Sequence, residues 1–278
     1  MSIPRRKALL LGLAFAATTS TIQPAWAQSS TQALASESVI ETIKQDGVLR
    51  IGLSVFTPWS MRDKNGELIG FELDVGRALA KDMGVDVEFI PTAWDGIIPQ
   101  LVSGNFDVII SGMSITPERN LTVNFSDPYA FSGQTILANK AMTEGFALED
   151  YNKPDVIFSA RRGATPATVI AQLFPEAQLL LFDEEAAAVQ EVLNGNAHAT
   201  MFAEPAPSIE ARRYPGKLYV PFDQTFLATG EGFALRKGDP DALNFFNNWI
   251  AGRMASGWLK ERNDYWFKGD AWQAEVAQ

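Results

Sequence analysis

The sequence contains no cysteine and one histidine, His198. Without cysteine, the chain can form no disulfide bond, offer no thiolate to a metal and carry no lipid on a thiol. A single histidine cannot build the ligand clusters that transition metals require. Phosphate-binding glycine loops, dinucleotide-binding glycine patterns and G-x-S-x-G elbows are also absent. We therefore expect no metal and no cofactor, and we interpret His198 as a surface or lobe-edge residue rather than a catalyst.

Long apolar runs are missing as well. The stretch "ALLLGLAFAA" (8–17) is too short to cross a bilayer. It follows the basic triplet "RRK" (5–7) and precedes "AWA" (25–27), the pattern of a charged region, an apolar region and a small-residue cleavage site. We therefore expect residues 1–27 to be a secretory signal peptide, with the protein in the periplasm and no lipid anchor. The paired arginines leave the general and the twin-arginine export routes both open.

Basic charge is scarce. The chain has 23 lysines and arginines against 33 acidic residues, a formal net charge of −10. Removal of residues 1–27 would take away three basic residues and no acidic one, leaving 20 against 33 and a net charge of −13. Such a balance argues against nucleic acid or an anionic membrane surface as a partner.

What is present is an alternation of strands and helices. The apolar patterns predict strands at 48–56, 85–91, 106–111, 155–160, 177–182 and 199–203. Helices are expected at 71–84, 94–104, 165–174, 184–195 and 241–267. The rhythm restarts after about residue 140, which indicates two α/β halves. A cleft between two such halves is the expected ligand site.

One charge conflicts with its position. The pair Thr116-Pro117 is typical of the start of a helix, with threonine as the N-cap and proline in the first turn. Arg119 then lies at the positive end of the helix dipole, where cations are disfavoured. A bound carboxylate would remove the conflict, because arginine offers a planar fork to it and free N–H groups at a helix start also bind anions. The alternative is an ion pair between Arg119 and a nearby acid such as Asp74.

Nearly all of the chain that follows the expected signal peptide resembles the family 3 extracellular solute-binding proteins of ABC importers, the polar amino-acid-binding type. The most specific matching stretches are "WDGIIPQLVSGNFDVIISGMSITPERNLTVNFSDPY" (94–129) and "GFALRKGD" (232–239). The resemblance implies an α/β, two-lobed periplasmic binding protein fold of type II, with a two-strand hinge and an interlobe ligand cleft. The expected boundaries are 1–27 for the signal peptide, 28–46 for a loose N-terminal lead, 37–137 with 232–278 for lobe 1, and 138–231 for lobe 2.

The resemblance also implies a ligand site. In this family the arginine of an S-x-T-x-x-R motif binds the ligand's carboxylate, and here the motif runs from Ser114 to Arg119. Gly112 would let the backbone approach the ligand, and Ser114 would offer a hydroxyl and an N–H. Phe56 and Trp94 stand where the family places aromatic walls around the ligand.

Some positions depart from the family pattern. Leu53 replaces an aspartate that meets basic side chains in binders of basic amino acids, so a basic ligand is not expected. The second lobe has Gly163-Ala164 where a Gly-Thr pair is usual. Thr165, at a helix start, is expected to compensate for the missing hydroxyl.

Two further departures concern charge. A lobe 2 aspartate normally binds the ligand's ammonium group, and a gapless match puts Ala203 there with Glu204 next to it. Either Glu204 takes that role through a local shift, or the ligand has no ordinary α-ammonium. Arg161 falls where the family lines its ligand, so Arg119 and Arg161 together would favour an acidic ligand. The alternative for Arg161 is a surface ion pair with Asp155 or Asp183.

These expectations describe a monomeric, non-enzymatic, periplasmic component of an ABC importer. It would capture a small carboxylate ligand, an acidic or polar amino acid rather than a basic one, and deliver it to a permease and ATPase. Three alternatives remain open. The first is a dehydratase acting on arogenate- or prephenate-like cyclohexadienyl acids, with Glu204 or Glu231 as its acid. The second is a binder of amine-free dicarboxylates, and the third is a module that presents its ligand to a sensor protein.

Overall fold

The computed structural model describes residues 38–276 of the chain. The expected signal peptide lies outside the described residues. The strands are β1 (Val48–Leu53), β2 (Met61–Arg62), β3 (Leu68–Ile69), β4 (Asp86–Pro91), β5 (Val108–Ile109), β6 (Asn124–Phe125), β7 (Ala130–Asn139), β8 (Ile157–Arg161), β9 (Gln178–Phe182), β10 (Ala199–Ala203), β11 (Leu218–Tyr219), β12 (Ala228–Glu231) and β13 (Ala234–Leu235).

The α-helices surround these strands. They are α1 (Val39–Asp46), α2 (Phe71–Met83), α3 (Trp94–Val102), α4 (Pro117–Asn120), α5 (Lys140–Thr143), α6 (Thr165–Leu173), α7 (Glu185–Asn194), α8 (Ala206–Arg213), α9 (Pro240–Ala255) and α10 (Trp258–Asn263). Local signals account for several of their ends. Helix α2 stops at Gly84, whose φ of 71° is a left-handed conformation that favours glycine.

The first lobe is built on a five-stranded sheet of order β4-β1-β5-β13-β6. Strands β4, β1 and β5 are parallel, and β13 runs antiparallel to both of its neighbours. The predicted strand at 106–111 is a regular strand only at β5. The carboxyl ends of β1 and β5 lie side by side, so the segments that follow them, with Phe56 and Gly112, share one edge of the sheet.

The second lobe contains the sheet of order β11-β7-β10-β8-β9. Strands β10, β8 and β9 are parallel, and β7 runs antiparallel to β10. Arg161 ends β8 and Ala203 ends β10, so both residues lie at the same edge. Two separate sheets, each accompanied by helices, confirm the predicted α/β fold class.

A two-stranded ribbon joins the sheets. The first four residues of β7 pair with β12, from Ala130 opposite Glu231 to Gly133 opposite Ala228. The rest of β7 continues into the second sheet, while β12 leads directly into β13 of the first. The ribbon therefore occupies the place of the expected hinge.

One local expectation was wrong for the part that the structure describes. Residues 28–46 were expected to form a loose lead, but Val39–Asp46 is helix α1, and residues 28–37 lie outside the described residues. Asp239 explains why this short helix is stable: its carboxylate accepts from Ser38 Oγ at 2.9 Å and from the Val39 N–H at 2.7 Å. These contacts span 200 residues of sequence and cannot be seen in the local pattern. Within the described residues, no helix is long and apolar enough to cross a membrane.

Candidate functional site

The edges of the two sheets meet around a small cavity. Its free volume is about 30 Å³, room for roughly two or three water molecules. Six residues predicted from the sequence line it: Phe56, Trp94, Gly112, Ser114, Arg161 and Thr165. The first four belong to the first lobe and the last two to the second, so the cavity lies where the interlobe cleft was expected.

Arg119 lies beside this cavity rather than in its lining. Thr116 caps helix α4 as predicted, its Oγ accepting from the Arg119 N–H at 3.2 Å. The guanidinium donates to two backbone oxygens, Ser114 O at 3.0 Å and Gly163 O at 3.3 Å. Within residues 38–276 it forms no ion pair, so the alternative pairing with Asp74 is not found. Arg119 is thus a half-buried cation held by carbonyl groups only.

Arg161 fills the space between the two aromatic walls. Its Cζ atom lies 5.0 Å from the ring centre of Phe56 and 4.3 Å from that of Trp94. The side chain is 5% exposed, and its nearest anion is the Glu185 carboxylate at 4.0 Å. The surface pairing with Asp183 belongs instead to the neighbouring Arg162, at 3.3 Å. Register accounts for the difference, because consecutive residues of a strand point to opposite faces.

The two guanidinium groups share one aromatic ring. Arg119 Cζ is 5.4 Å from the Trp94 ring centre, and Arg161 Cζ is 4.3 Å from the same ring centre. Burial, with a smaller contribution from the charge of Arg161, lowers the pKa of Arg119 to about 10, while Glu118 opposes the shift. Burial also lowers the pKa of Arg161, while Glu185 and Glu184 oppose that effect. This part of the cleft therefore concentrates positive charge.

Gly112 brings the backbone close to the aromatic walls. Its φ is +54°, and a Cβ atom there would lie 2.6 Å from Trp59 Cδ1 and 2.8 Å from Phe56 Cζ. Only glycine fits such a position without displacing the rings. The Gly112 N–H donates to the Tyr129 hydroxyl at 3.1 Å, and this hydroxyl donates to Glu72 at 2.8 Å. A hydrogen-bonded chain thus runs from the cleft into the core of the first lobe.

Two polar residues of the hinge ribbon line the cavity and were not predicted as binding residues. Gln134 comes from β7 and Glu231 from β12, and they are 2% and 1% exposed. Burial raises the pKa of Glu231 to about 7, and a hydrogen bond from Ser132 opposes the shift. Trp59 also lowers this pKa, but its indole N–H is outside hydrogen-bonding geometry. A glutamine inside the apolar stretch "GQTILA" (133–138) was the available sequence signal.

Besides Arg119, Glu204 is a predicted site residue that lies outside the lining. Its carboxylate accepts a hydrogen bond from Ser208 Oγ at 3.0 Å, at the start of helix α8. Ala203 lines the cavity instead, and Glu185 supplies a carboxylate that the sequence did not indicate. Consecutive side chains at the end of a strand point in different directions, so Glu204 does not take the place of Ala203 in the lining.

Direct hydrogen bonds cross the cleft. Trp94 Nε1 of the first lobe donates to Gly163 O of the second at 3.1 Å, the same oxygen that Arg119 contacts. Arg161 Nη1 approaches Ser54 Oγ of the first lobe at 3.4 Å. The residues expected to bind a carboxylate are therefore also those that hold the lobes together.

Known proteins share this architecture. The model of the bacterial extracellular solute-binding proteins, family 3, matches residues 49–269. The L-cystine-binding protein TcyJ of Escherichia coli is 29% identical over 242 residues, 87% of this chain and 90% of that protein. The cyclohexadienyl dehydratase of Pseudomonas aeruginosa is 26% identical over 236 residues, 84% of this chain and 88% of that one.

A solved structure is similar to this chain in both sequence and fold. The crystal structure of an ancestral amino acid-binding protein, a precursor of cyclohexadienyl dehydratase, has a TM-score of 0.76 and 41% identity, and the match covers 83% of this chain and 99% of that chain. Sequence and fold lead to the same conclusion. The chain belongs to family 3 of the bacterial extracellular solute-binding proteins.

Proposed function

We propose that this protein captures an acidic amino acid for an ABC importer in the periplasm, after export through the signal peptide at residues 1–27. The single observation that carries the ligand class is the pair of guanidinium groups around Trp94. Arg119 Cζ and Arg161 Cζ lie 5.4 and 4.3 Å from its ring centre. Arg119 has backbone oxygens as its only acceptors among the described residues. Arg161 has Glu185 at 4.0 Å, whereas Arg119 has no ion pair among the described residues, so an anionic ligand would offset the repulsion that Arg161 exerts on Arg119.

The two arginines would hold different carboxylates. Arg119, next to the N-terminus of α4, suits the α-carboxylate, since a helix start adds N–H donors for an anion. Arg161, between the aromatic walls, suits the carboxylate of the ligand's side chain. Leu53 is fully buried and offers no charge. A lysine- or arginine-like ligand would bring a third cation into this space and is disfavoured.

Closure follows from the position of these groups. A ligand that contacts Arg119 of the first lobe and Arg161 of the second is bound by both only when the lobes approach each other. It therefore shifts the open–closed equilibrium by the contacts unique to the closed form. Because the cavity of about 30 Å³ is too small for an amino acid, Arg161 must swing aside or the lobes must part to admit one.

The test is thermal unfolding of the mature protein with the twenty amino acids, dicarboxylates and arogenate-like acids. A ligand at a hundred times its dissociation constant adds about 2.7 kcal/mol of stability. We expect glutamate or aspartate to give the largest shift. Arg161→Gln should abolish most of it, whereas Arg162→Gln, which changes the exposed neighbour, should leave it intact. A largest shift with lysine or arginine would overturn the acidic ligand.

A second candidate, a dehydratase acting on a cyclohexadienyl acid, is favoured by one observation. Glu231 is a buried acid that lines the cavity with a pKa raised to about 7 by burial, which suits a general acid. It would protonate the departing hydroxyl group, which leaves as water while the ring carboxylate leaves as CO2 and the electrons of the broken C–C bond complete the aromatic ring. The assay is spectroscopic turnover of arogenate or prephenate by the wild type and by Glu231→Gln. Turnover that this substitution abolishes would establish the enzyme, and stoichiometric binding without product would eliminate it.

A further inference from the structure

Two buried oxygen atoms on the hinge ribbon have no hydrogen-bond partner among residues 38–276. They are Oε1 of Gln134 and Oε2 of Glu231. An unsatisfied buried acceptor costs about 1–3 kcal/mol. Native proteins keep few such groups, and each one calls for a donor that the folded chain does not itself supply. Because both side chains line the interlobe cavity, that donor is best sought in the ligand.

The two oxygens come from the two strands that join the lobes. Gln134 lies in β7 directly opposite Ala203 of β10, and Glu231 forms a bridge with Ser114 of the first lobe. The methyl group of Ala203 accepts no hydrogen bond, so the end of β10 provides no competing anion. The remaining carboxylate of the lining, Glu185, lies 4.0 Å from Arg161 and is engaged there.

We propose that Gln134 and Glu231 form the subsite for the ligand's ammonium group. The inference rests on the proposed amino-acid ligand and adds the place where its amine is held. An ammonium group is a compact cation with three donors and no acceptor, so it needs carboxylate and carbonyl oxygens around it. One carboxylate and one amide oxygen, both desolvated, meet that need. The hinge ribbon thus takes over a role for which β10 offers only Ala203.

Ligand binding at this subsite should depend on pH and release a proton. The groups that face Glu231 are Ser132, which donates to it, the indole of Trp59, which lowers its pKa without reaching hydrogen-bonding geometry, and the buried Glu72 and Tyr129, whose pKa values Glu231 raises. Arg161 lines the same cavity. Since burial raises the pKa of Glu231 to about 7, much of it is protonated at pH 6. An incoming ammonium favours the carboxylate and expels that proton, so binding should tighten as the pH rises from 6 to 8.

The experiment is titration calorimetry of the mature protein at pH 6 in two buffers with different ionisation enthalpies. The probes are L-glutamate, its amine-free analogue glutarate, and L-lysine. We expect glutamate to bind at least about tenfold more tightly than glutarate, the worth of one charged hydrogen bond. Glutamate should release close to one proton per site, and glutarate none.

Substitutions assign the effect to these side chains. Glu231→Gln should weaken glutamate by roughly 100-fold or more, since it removes one partner of a buried charge pair. Gln134→Met, which keeps the volume and removes the acceptor, should cost about tenfold. Both should leave glutarate within about threefold. Glu72→Gln is the matched control, because this acid is bound by Tyr129 and lies outside the lining, and it should keep the preference for glutamate.

The outcomes separate the two proposals. Glutarate binding as tightly as glutamate, without proton release, would overturn the ammonium subsite and leave the acidic ligand standing. Lysine binding with proton release lost in Glu231→Gln would overturn the acidic ligand and support the subsite. Binding of none of the three probes would overturn both. Thermal melting of each variant identifies any substitution that acts through misfolding.

Discussion

Arg119 is a cation at the end of a helix that disfavours cations. Helix α4 has four residues, and Arg119 lies in its first turn with Thr116 as the N-cap. The guanidinium is held by Ser114 O and Gly163 O, which carry only partial charge. Its planar fork is therefore held in one place, and in the proposed site the free energy of binding a carboxylate would depend on that geometry as well as on its charge.

Arg119→Lys tests geometry against charge. Lysine keeps the charge and loses the fork, so we expect a loss of about 1.5–3 kcal/mol, roughly 10- to 100-fold in affinity. Calorimetric titration with glutamate measures it. Arg236→Lys is the control, because that guanidinium donates to Leu101 O and Phe106 O away from the cavity. Equal affinity of Arg119→Lys and wild type would contradict the role given to the fork.

The carboxyl group of Glu72 is fully buried, and its titration should make the free energy of unfolding depend on pH. Burial raises its pKa well above the ordinary value, and the charge of Glu231 adds to the shift. The folded state therefore retains a proton that the unfolded chain releases above a pH of about 4.3. Stability linked to this group is complete below that pH and is lost as the pH rises towards the raised pKa.

Glu72→Gln should remove this dependence. Urea denaturation at pH 5, 6, 7 and 8 should show wild type losing free energy of unfolding with pH more steeply than the variant. Each unit of raised pKa corresponds to about 1.4 kcal/mol across the window. Glu88→Gln, at an exposed position of β4, should follow the wild-type curve. Parallel curves for Glu72→Gln and wild type would show that Glu72 does not titrate as inferred.

At the scale of elements, the aromatic walls depend on the turn after β5. Gly112 sits there with a positive φ, and the rings of Trp59 and Phe56 occupy the space of its missing Cβ. The stacked pair Phe56–Trp59, with ring centres 5.0 Å apart, therefore packs against backbone. This close packing holds one wall against which Arg161 lies.

Gly112→Ala should disrupt that wall. A left-handed alanine costs about 1–2 kcal/mol, and the overpacked rings add about 1–3 kcal/mol. We expect a lower melting temperature and weaker glutamate binding. Gly96→Ala, inside helix α3, is the matched control, since its Cβ would meet only Gln100 Nε2 at 4.0 Å. That variant should be neutral or slightly more stable, because alanine favours helix over glycine. Similar destabilisation in both would contradict the steric argument.

At the scale of the whole molecule, function depends on contacts between the lobes. Gly163 O receives a hydrogen bond from Trp94 Nε1 and another from Arg119, both across the cleft. Each neutral bond of this kind is worth about 0.5–1.5 kcal/mol. The hinge ribbon can bend while these bonds form or break, so they bias the open–closed equilibrium directly.

Trp94→Phe should weaken closure while keeping an aromatic wall. Loss of the Nε1 bond should lower glutamate affinity about 2- to 10-fold and enlarge the radius of gyration at subsaturating ligand, measured by X-ray scattering. Trp249→Phe also loses an indole N–H bond, to the Asp82 carboxylate at 2.7 Å, with both residues in the first-lobe part of the chain, and should change neither quantity. A change of equal size in both variants would mean that the effect is not specific to the interlobe bond.

Local patterns in the sequence were sufficient to predict most of the elements and the family. Periodicity, the cap at Thr116 and the glycine stop at Gly84 act within a few residues, so the main helices and strands were predicted within a few positions. The segment 94–129 was enough to predict Arg119 as a site residue, because a motif keeps its spacing wherever the chain goes, and its contact with a carboxylate stays a prediction. The short strands of the hinge ribbon carry no comparable local pattern.

Contacts between side chains that are distant in the sequence depend on how the two sheets fold and pair. Arg161 comes to lie between Phe56 and Trp94, residues 105 and 67 positions earlier, because β8 ends at the edge that faces the first lobe. Gln134 and Glu231 are brought into one cavity by the pairing of β7 with β12. Strand register sets the direction of every side chain, and a shift of one residue reverses it. Register between distant strands is a property of the folded sheets, which is why the alternatives for Arg161 and Glu204 stayed open in the sequence.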